Sequence, residues 1–192
     1  MKSKTNYVNN LLKFRSLAVN LWSILPRFVS HFFLNIFRNN NSILGFGIRY
    51  LCVNRLSKRC GDKVIVFPMV IFKNIESLEL GTNISIHEMC YIDAYGGIKI
   101  GDDVSISHSV SMLSFDHDIS SASIKYKDAS PIKGPIEIKN NIWIGAGVKI
   151  LKNVKVSSNS VVAAGAVVNR EVNESSLVAG IPAKEIKKIF ND

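Results

Sequence analysis

Four histidines, His31, His87, His108 and His117, are the residues of this chain with the broadest chemical reach. His117 stands in Ser114-Phe115-Asp116-His117-Asp118. An imidazole ordinarily titrates near neutral pH, so a histidine there can take a proton from a hydroxyl or amine. The flanking Asp116 and Asp118 are candidates for fixing its tautomer. Local sequence alone favours an acidic surface turn over a catalytic role. There is no Walker loop, GxGxxG, GxSxG, HExxH or paired-cysteine zinc pattern. Cys52, Cys60 and Cys90 make no even disulfide framework, which fits a reducing, cytoplasmic setting.

What positions His117 is a repeat. Aliphatic residues recur at Ile138, Ile144, Ile150, Val156, Val162 and Val168, each six after the last. Four residues beyond each stand Ile142, Val148, Val154, Ser160, Ala166 and Val172. The same beat runs through Leu80, Ile86 and Ile92, then Ile100, Ile106 and Met112. A period of six is neither a helical stripe nor simple strand alternation. It describes short strands separated by regular bends, winding a prism filled by stacked aliphatics, with small residues at the tight corners. The expected fold is an all-β parallel solenoid over residues 61–180. The beat stops between Leu113 and Pro135, and a structureless insertion of that length is usually functional. Tyr95-Gly96-Gly97 is a smaller break that adds two residues. With 18 residues per turn His87 stacks on Ser105 rather than on His108, so no three-histidine metal site is expected.

Charge divides the chain as sharply. Residues 1–63 hold eleven Lys and Arg against one acid, Asp62, whereas residues 64–192 hold 13 basic and 14 acidic residues. Residues 1–60 read as a basic, apolar, helical segment, with Leu17, Leu21, Leu25, Phe28, Phe32 and Ile36 on one helix face. Arg27 near the middle of residues 16–37 costs about 2.5–3.5 kcal/mol in a membrane span, and no small-residue cleavage site marks a signal peptide. Two readings stand. The face packs on the first coils or on a neighbouring subunit, which is favoured because solenoid ends need caps, or it lies on the cytoplasmic face of the inner membrane. The segment is too apolar, and lacks a recognisable module, for nucleic-acid binding.

The beat, together with IKNNIWIGAGVKILKNVKV, SNSVVAAGAVVNREV and VAGIPAKEIKKI, resembles the hexapeptide-repeat acyltransferases with a left-handed parallel β-helix. Within them it is similar to the maltose, galactoside and surface-polysaccharide O-acetyltransferases, the capsule and O-antigen members above all. The resemblance covers residues 45–190. It implies the left-handed winding and a homotrimer with active sites between subunits, and residues 181–192 are expected to form a short C-terminal helix. It also implies direct transfer of acetyl from acetyl-CoA, used as co-substrate without a metal, to a sugar hydroxyl, with His117 as general base. Asp93 is then an acceptor-binding candidate. Coenzyme binding falls on Trp143, Ala146, Ala164, Asn169, Arg170, Lys184 and Lys187. Relatives usually carry Thr-Lys where this chain has Asn169-Arg170. N-acetylation of a nucleotide-linked amino sugar is the alternative activity, and a non-catalytic scaffold is the alternative class.

Overall fold

The computed structural model describes residues 15–120 and 125–189. The chain divides into two compact units, Met1–Leu56 and Ser57–Asp192.

In Ser57–Asp192 the six-residue beat produces three stacked sheets. The first face carries Arg59–Cys60, Leu78–Leu80, Ile98–Ile100, Ile136–Ile138 and Lys155–Val156, all parallel. The second carries Val64–Val66, Ile84–Ile86, Val104–Ile106, Ile142–Ile144, Val161–Val162 and Ser176–Ala179. The third carries Ile71–Lys73, Tyr91–Asp93, Ser111–Leu113, Lys149–Ile150 and Val167–Val168. Every beat residue from Leu80 to Val168 is buried, and so are the positions four residues beyond those from Ile138 to Val168. Burial of each such aliphatic is worth about 1.5–3 kcal/mol relative to exposure. Ser160 occupies one core position, and its hydroxyl donates to the Asn173 carbonyl at 2.9 Å.

The corners are left-handed backbone positions. Asn83, Asp103, Asn141 and Asn159 all have φ between 54° and 60°, a conformation that Asn and Asp tolerate better than most residues. Their side chains bond from coil to coil: Asn83 Nδ2 donates to Asp103 Oδ1 at 2.6 Å, and Asn141 Nδ2 to Asn159 Oδ1 at 2.8 Å.

Several sequence expectations are corrected here. The turn is not uniformly 18 residues long: Ser85 lies opposite Ser105, a step of 20, and only later does Glu137 lie opposite Lys155, a step of 18. The 3-10 turn Ile75–Ser77 and the Tyr95-Gly96-Gly97 corner account for the extra residues. Ser105 therefore meets Ser85, hydroxyl to hydroxyl at 3.2 Å, while His87 stacks on Phe67 with ring centroids 4.3 Å apart. The boundary falls after Leu56 rather than after residue 60, because Arg59–Cys60 already pairs with Leu78–Leu80. The insertion 113–135 is not structureless, as Phe115–His117 and Pro131–Lys133 pair in an antiparallel ribbon.

The expected C-terminal helix is a strand. Gly180, at φ +96°, begins the turn that brings Lys184–Lys188 back antiparallel to Ser176–Ala179. An open sheet edge there presents unpaired N–H and C=O groups, and this last strand satisfies them. Asn173 and Ser176 both donate to Glu185 Oε2, at 3.2 and 2.9 Å, and Lys188 Nζ donates to the Glu174 carbonyl at 2.9 Å.

The unit Met1–Leu56 contains α1 (Arg15–Ser23), α2 (Arg27–Ile36) and α3 (Ile43–Leu56). Pro26 sits at the N-cap of α2, and α1 and α2 meet at 120°. Arginines close the helix ends. Arg49, 1% exposed, donates from Nη1 to the carbonyls of Phe37 (2.8 Å) and Asn40 (2.6 Å). Arg27 Nη2 donates to the Leu56 carbonyl at 2.7 Å, and Arg55 Nε to the Leu25 carbonyl at 3.4 Å. Cations at carbonyl-rich helix ends are favoured electrostatically. Trp22 packs edge-on to Phe33, and its Nε1 donates to the buried Ser30 hydroxyl at 3.0 Å. The apolar row differs by one residue from the sequence reading: Leu25 is half-buried, and Ile24 takes its place among the exposed residues.

Candidate active site

His117 is delivered by the ribbon that leaves the corner between the third and first faces. Ser114 anchors its base: it is fully buried, donates to the Asp93 carbonyl at 2.8 Å and accepts from the Gly96 N–H at 2.9 Å. A side chain at position 96 would run into the Ser114 carbonyl, so this crossing requires glycine. Phe115 packs edge-on to Tyr95 (5.6 Å between centroids) and lies 6.0 Å from the His117 ring. Lys133, opposite Phe115 in the ribbon, places Nζ 4.7 Å from the centre of the Tyr95 ring.

The histidine ring is held by backbone. His117 Nδ1 lies 2.9 Å from the Ala129 carbonyl. A carbonyl only accepts, so Nδ1 carries a proton, and in the neutral ring the lone pair is on Nε2. The ring itself is exposed, leaving that lone pair open to an incoming hydroxyl. The flanking carboxylates do something else. Asp116 Oδ1 accepts the backbone N–H of His117 at 2.8 Å, and Asp118 Oδ1 accepts from the Ser120 hydroxyl (2.6 Å) and N–H (2.9 Å). The Ser120 bonds hold the Asp118 carboxyl below its ordinary range. The expectation that these two aspartates fix the tautomer is thus replaced by the Ala129 carbonyl, a backbone group that leaves no side-chain signature in sequence.

Asp93 is buried at the foot of the ribbon. It accepts from Asn74 Nδ2 at 2.7 Å and from the Tyr95 N–H at 3.2 Å. Burial, reinforced by the Asp93 charge, pushes the Tyr91 hydroxyl above its ordinary range. Asp93 therefore organises the corner that carries Tyr95 and Gly96.

The residues expected to hold coenzyme lie elsewhere. Ala146 and Ala164 occupy successive corners between the second and third faces, joined by a 2.8 Å bond from the Gly165 N–H to the Ala146 carbonyl. Coils approach closely here: a Cβ on Gly145 would lie 2.5 Å from the Ala164 nitrogen. Gly147 and Gly165, at φ +70° and +72°, have open space where a side chain would be, so bare backbone faces outward. Trp143 is exposed on the second face, its Nε1 donating to Ser107 Oγ at 3.1 Å. Arg170 and Lys184 line a common cavity of about 190 Å³. Asn169 and Lys187 are exposed and lie outside that cavity's lining.

His117 and the Ala146–Ala164 corners lie at opposite ends of the third-face strands. The ribbon leaves after Ser111–Leu113, whereas Ala146 and Ala164 precede Lys149–Ile150 and Val167–Val168 on the same face. A larger groove of about 660 Å³ runs along the first face beneath Tyr95 and Lys133, lined by the ladder Glu79, Lys99, Glu137 and Lys155. Its size does not make it the reaction centre, since neither His117 nor any coenzyme candidate lines it. Lys58 pairs with Glu79 at 2.8 Å and Lys139 with Glu137 at 2.6 Å, and these partners hold both glutamates below the usual carboxyl range. Among the described residues no His, Cys, Asp and Glu group could hold a metal ion.

Relatives identify the family. The chain is 32% identical to the Saccharomyces cerevisiae protein YJL218W, assigned to the acetyltransferases, over 71% of this chain and 69% of that protein. It belongs to the hexapeptide-repeat acetyltransferases. It is also 30% identical to the galactoside O-acetyltransferase of Escherichia coli, over 67% of this chain and 63% of that one. The hexapeptide-repeat acetyltransferase of Vibrio cholerae in complex with acetyl-coenzyme A has a similar structure, with a TM-score of 0.75 at 26% identity, covering 86% of this chain and 87% of that one. This acetyltransferase thus has the left-handed parallel β-helix that the resemblance implied. No family model matches the chain. The chain spans between 37% and 69% of the length of the curated relatives it matches.

Proposed function

We propose that this acetyltransferase moves an acetyl group from acetyl-CoA to a sugar hydroxyl of a bacterial surface polysaccharide or its precursor, with His117 as general base. The observation that carries the reading is the Nδ1–H to Ala129 carbonyl bond, which leaves Nε2 as acceptor on an exposed ring. In the reaction Nε2 takes the hydroxyl proton while the sugar oxygen bonds to the thioester carbonyl carbon. The tetrahedral intermediate then expels the coenzyme A thiolate, which recovers the proton from the imidazolium. No acyl-enzyme forms. The acceptor crosses the aromatic row Tyr95–Phe115–His117, whose spacing suits the apolar faces of a sugar.

The donor lies along the Ala146–Ala164 corners, where exposed backbone bonds its amides and Arg170 and Lys184 meet its phosphates as charge-assisted donors. Base and donor residues occupy different edges of one chain, which supports a homotrimer in which His117 of one subunit serves donor held by the next.

His117→Ala tests this directly. Thiol release from acetyl-CoA in the presence of a competent glycan is expected to fall about 10²–10⁴-fold with the circular dichroism spectrum unchanged. Release near the wild-type rate would remove His117 from the mechanism.

A further inference from the structure

We propose that α1 and α2 dock the protein on an anionic lipid bilayer, with their apolar row seated between headgroups and acyl chains. Leu17, Leu21, Ile24, Phe28, Phe32 and Ile36 are each more than half exposed, Ile24 reaching 79% and Phe28 71%. They recur at three- and four-residue spacing, so one stripe of each helix is apolar. Isolated exposed apolar residues are ordinary, whereas six large ones on two successive helices mark a surface that something covers.

Charge identifies the occupant. Met1–Leu56 carries eight Lys and Arg and no Asp or Glu. A purely cationic unit bearing an apolar row complements a negatively charged membrane surface, to which basic side chains and inserted aromatics contribute together. A second copy of the same unit would bring further cations and no acid to pair with them.

The geometry favours lying on the bilayer over crossing it. Among the described residues no single helix is long and apolar enough to cross. The bent pair α1–α2 passes by length and composition, but its bend is tied to polar groups: Arg27 bonds the Leu56 carbonyl, and Arg55 the Leu25 carbonyl. Both guanidiniums would have to enter hydrocarbon with a spanning bend, at a cost that surface binding avoids.

Flotation of the full chain with vesicles tests the proposal. Wild-type protein should rise with mixed phosphatidylglycerol–phosphatidylcholine vesicles about tenfold more than with phosphatidylcholine alone, and added salt should release part of it. The double variant Phe28→Glu/Phe32→Glu should stay at the bottom while keeping its helical signal and its thiol-release activity. Should that variant misfold, Ile24→Glu, at the most exposed of the six positions, replaces it with the same expectation. Protein that ignores both vesicle types overturns the proposal, as does a folded variant that floats like wild type. A variant whose only change is a smaller oligomeric mass also overturns it, since a second copy then covers this face. Docking and catalysis fail separately, because thiol release is read without vesicles.

Discussion

Within Ser57–Asp192 aliphatic residues recur every sixth position and disappear from solvent, whereas in α1 and α2 an equally regular apolar row stays exposed. The first period matches the geometry of a solenoid turn, so each side chain finds its equivalent one coil away. The second is a stripe on each of two helices that their own unit leaves uncovered. Charge follows the same division: the solenoid mixes signs and pairs them, as in Lys58–Glu79 and Lys155–Glu171, while the helical unit has cations only. Regularity of pattern therefore identifies an element, but burial and charge decide what that element faces.

Truncations at matched positions should separate the two regions most widely. Ile106→Ala removes a fully buried side chain from the stack and is expected to cost about 2–5 kcal/mol, read from urea unfolding by circular dichroism. Phe28→Ala, on the exposed row, should change stability in water by no more than about 0.5 kcal/mol. Equal costs would mean that the row is buried in the free protein and would end the contrast. A smaller effect concerns the strand that closes the solenoid. Bonds from Asn173 and Ser176 hold the Glu185 carboxyl below its ordinary pKa of 4.5. A depressed pKa stabilises the fold above the unfolded value, and the gain disappears as pH falls through the folded one. Glu185→Gln should therefore lower the melting temperature slightly at neutral pH, and the difference should shrink in acid well below pH 4.5. A difference that grows on acidification would contradict the bonding pattern.

Much of this was legible in the residues themselves. The beat from Ile138 to Val168 marks the strands because sheet geometry forces inward positions into register. The 20-residue early turns were not legible as a stacking register: two extra residues at Tyr95-Gly96-Gly97 look like a local irregularity until they move His87 from Ser105 to Phe67. The strand Lys184–Lys188 is exposed at all five positions, so no alternation marks it, and its reason to exist is the neighbouring edge rather than its own sequence. His117 was visible as a histidine in an insertion. The Ala129 carbonyl that orients it was not, since a backbone acceptor twelve residues away has no residue-type signature.

Mixing two disabled variants measures the central claim most directly. His117→Ala removes the proposed base, and Ala164→Trp fills the proposed donor corner on its own exposed surface. After the two are unfolded together and reassembled, about a quarter of wild-type thiol release should return, because random mixing joins the two intact halves at that share of subunit boundaries. Reassembled mixed oligomers that stay inactive would contradict a site built from His117 of one subunit and the donor corner of another.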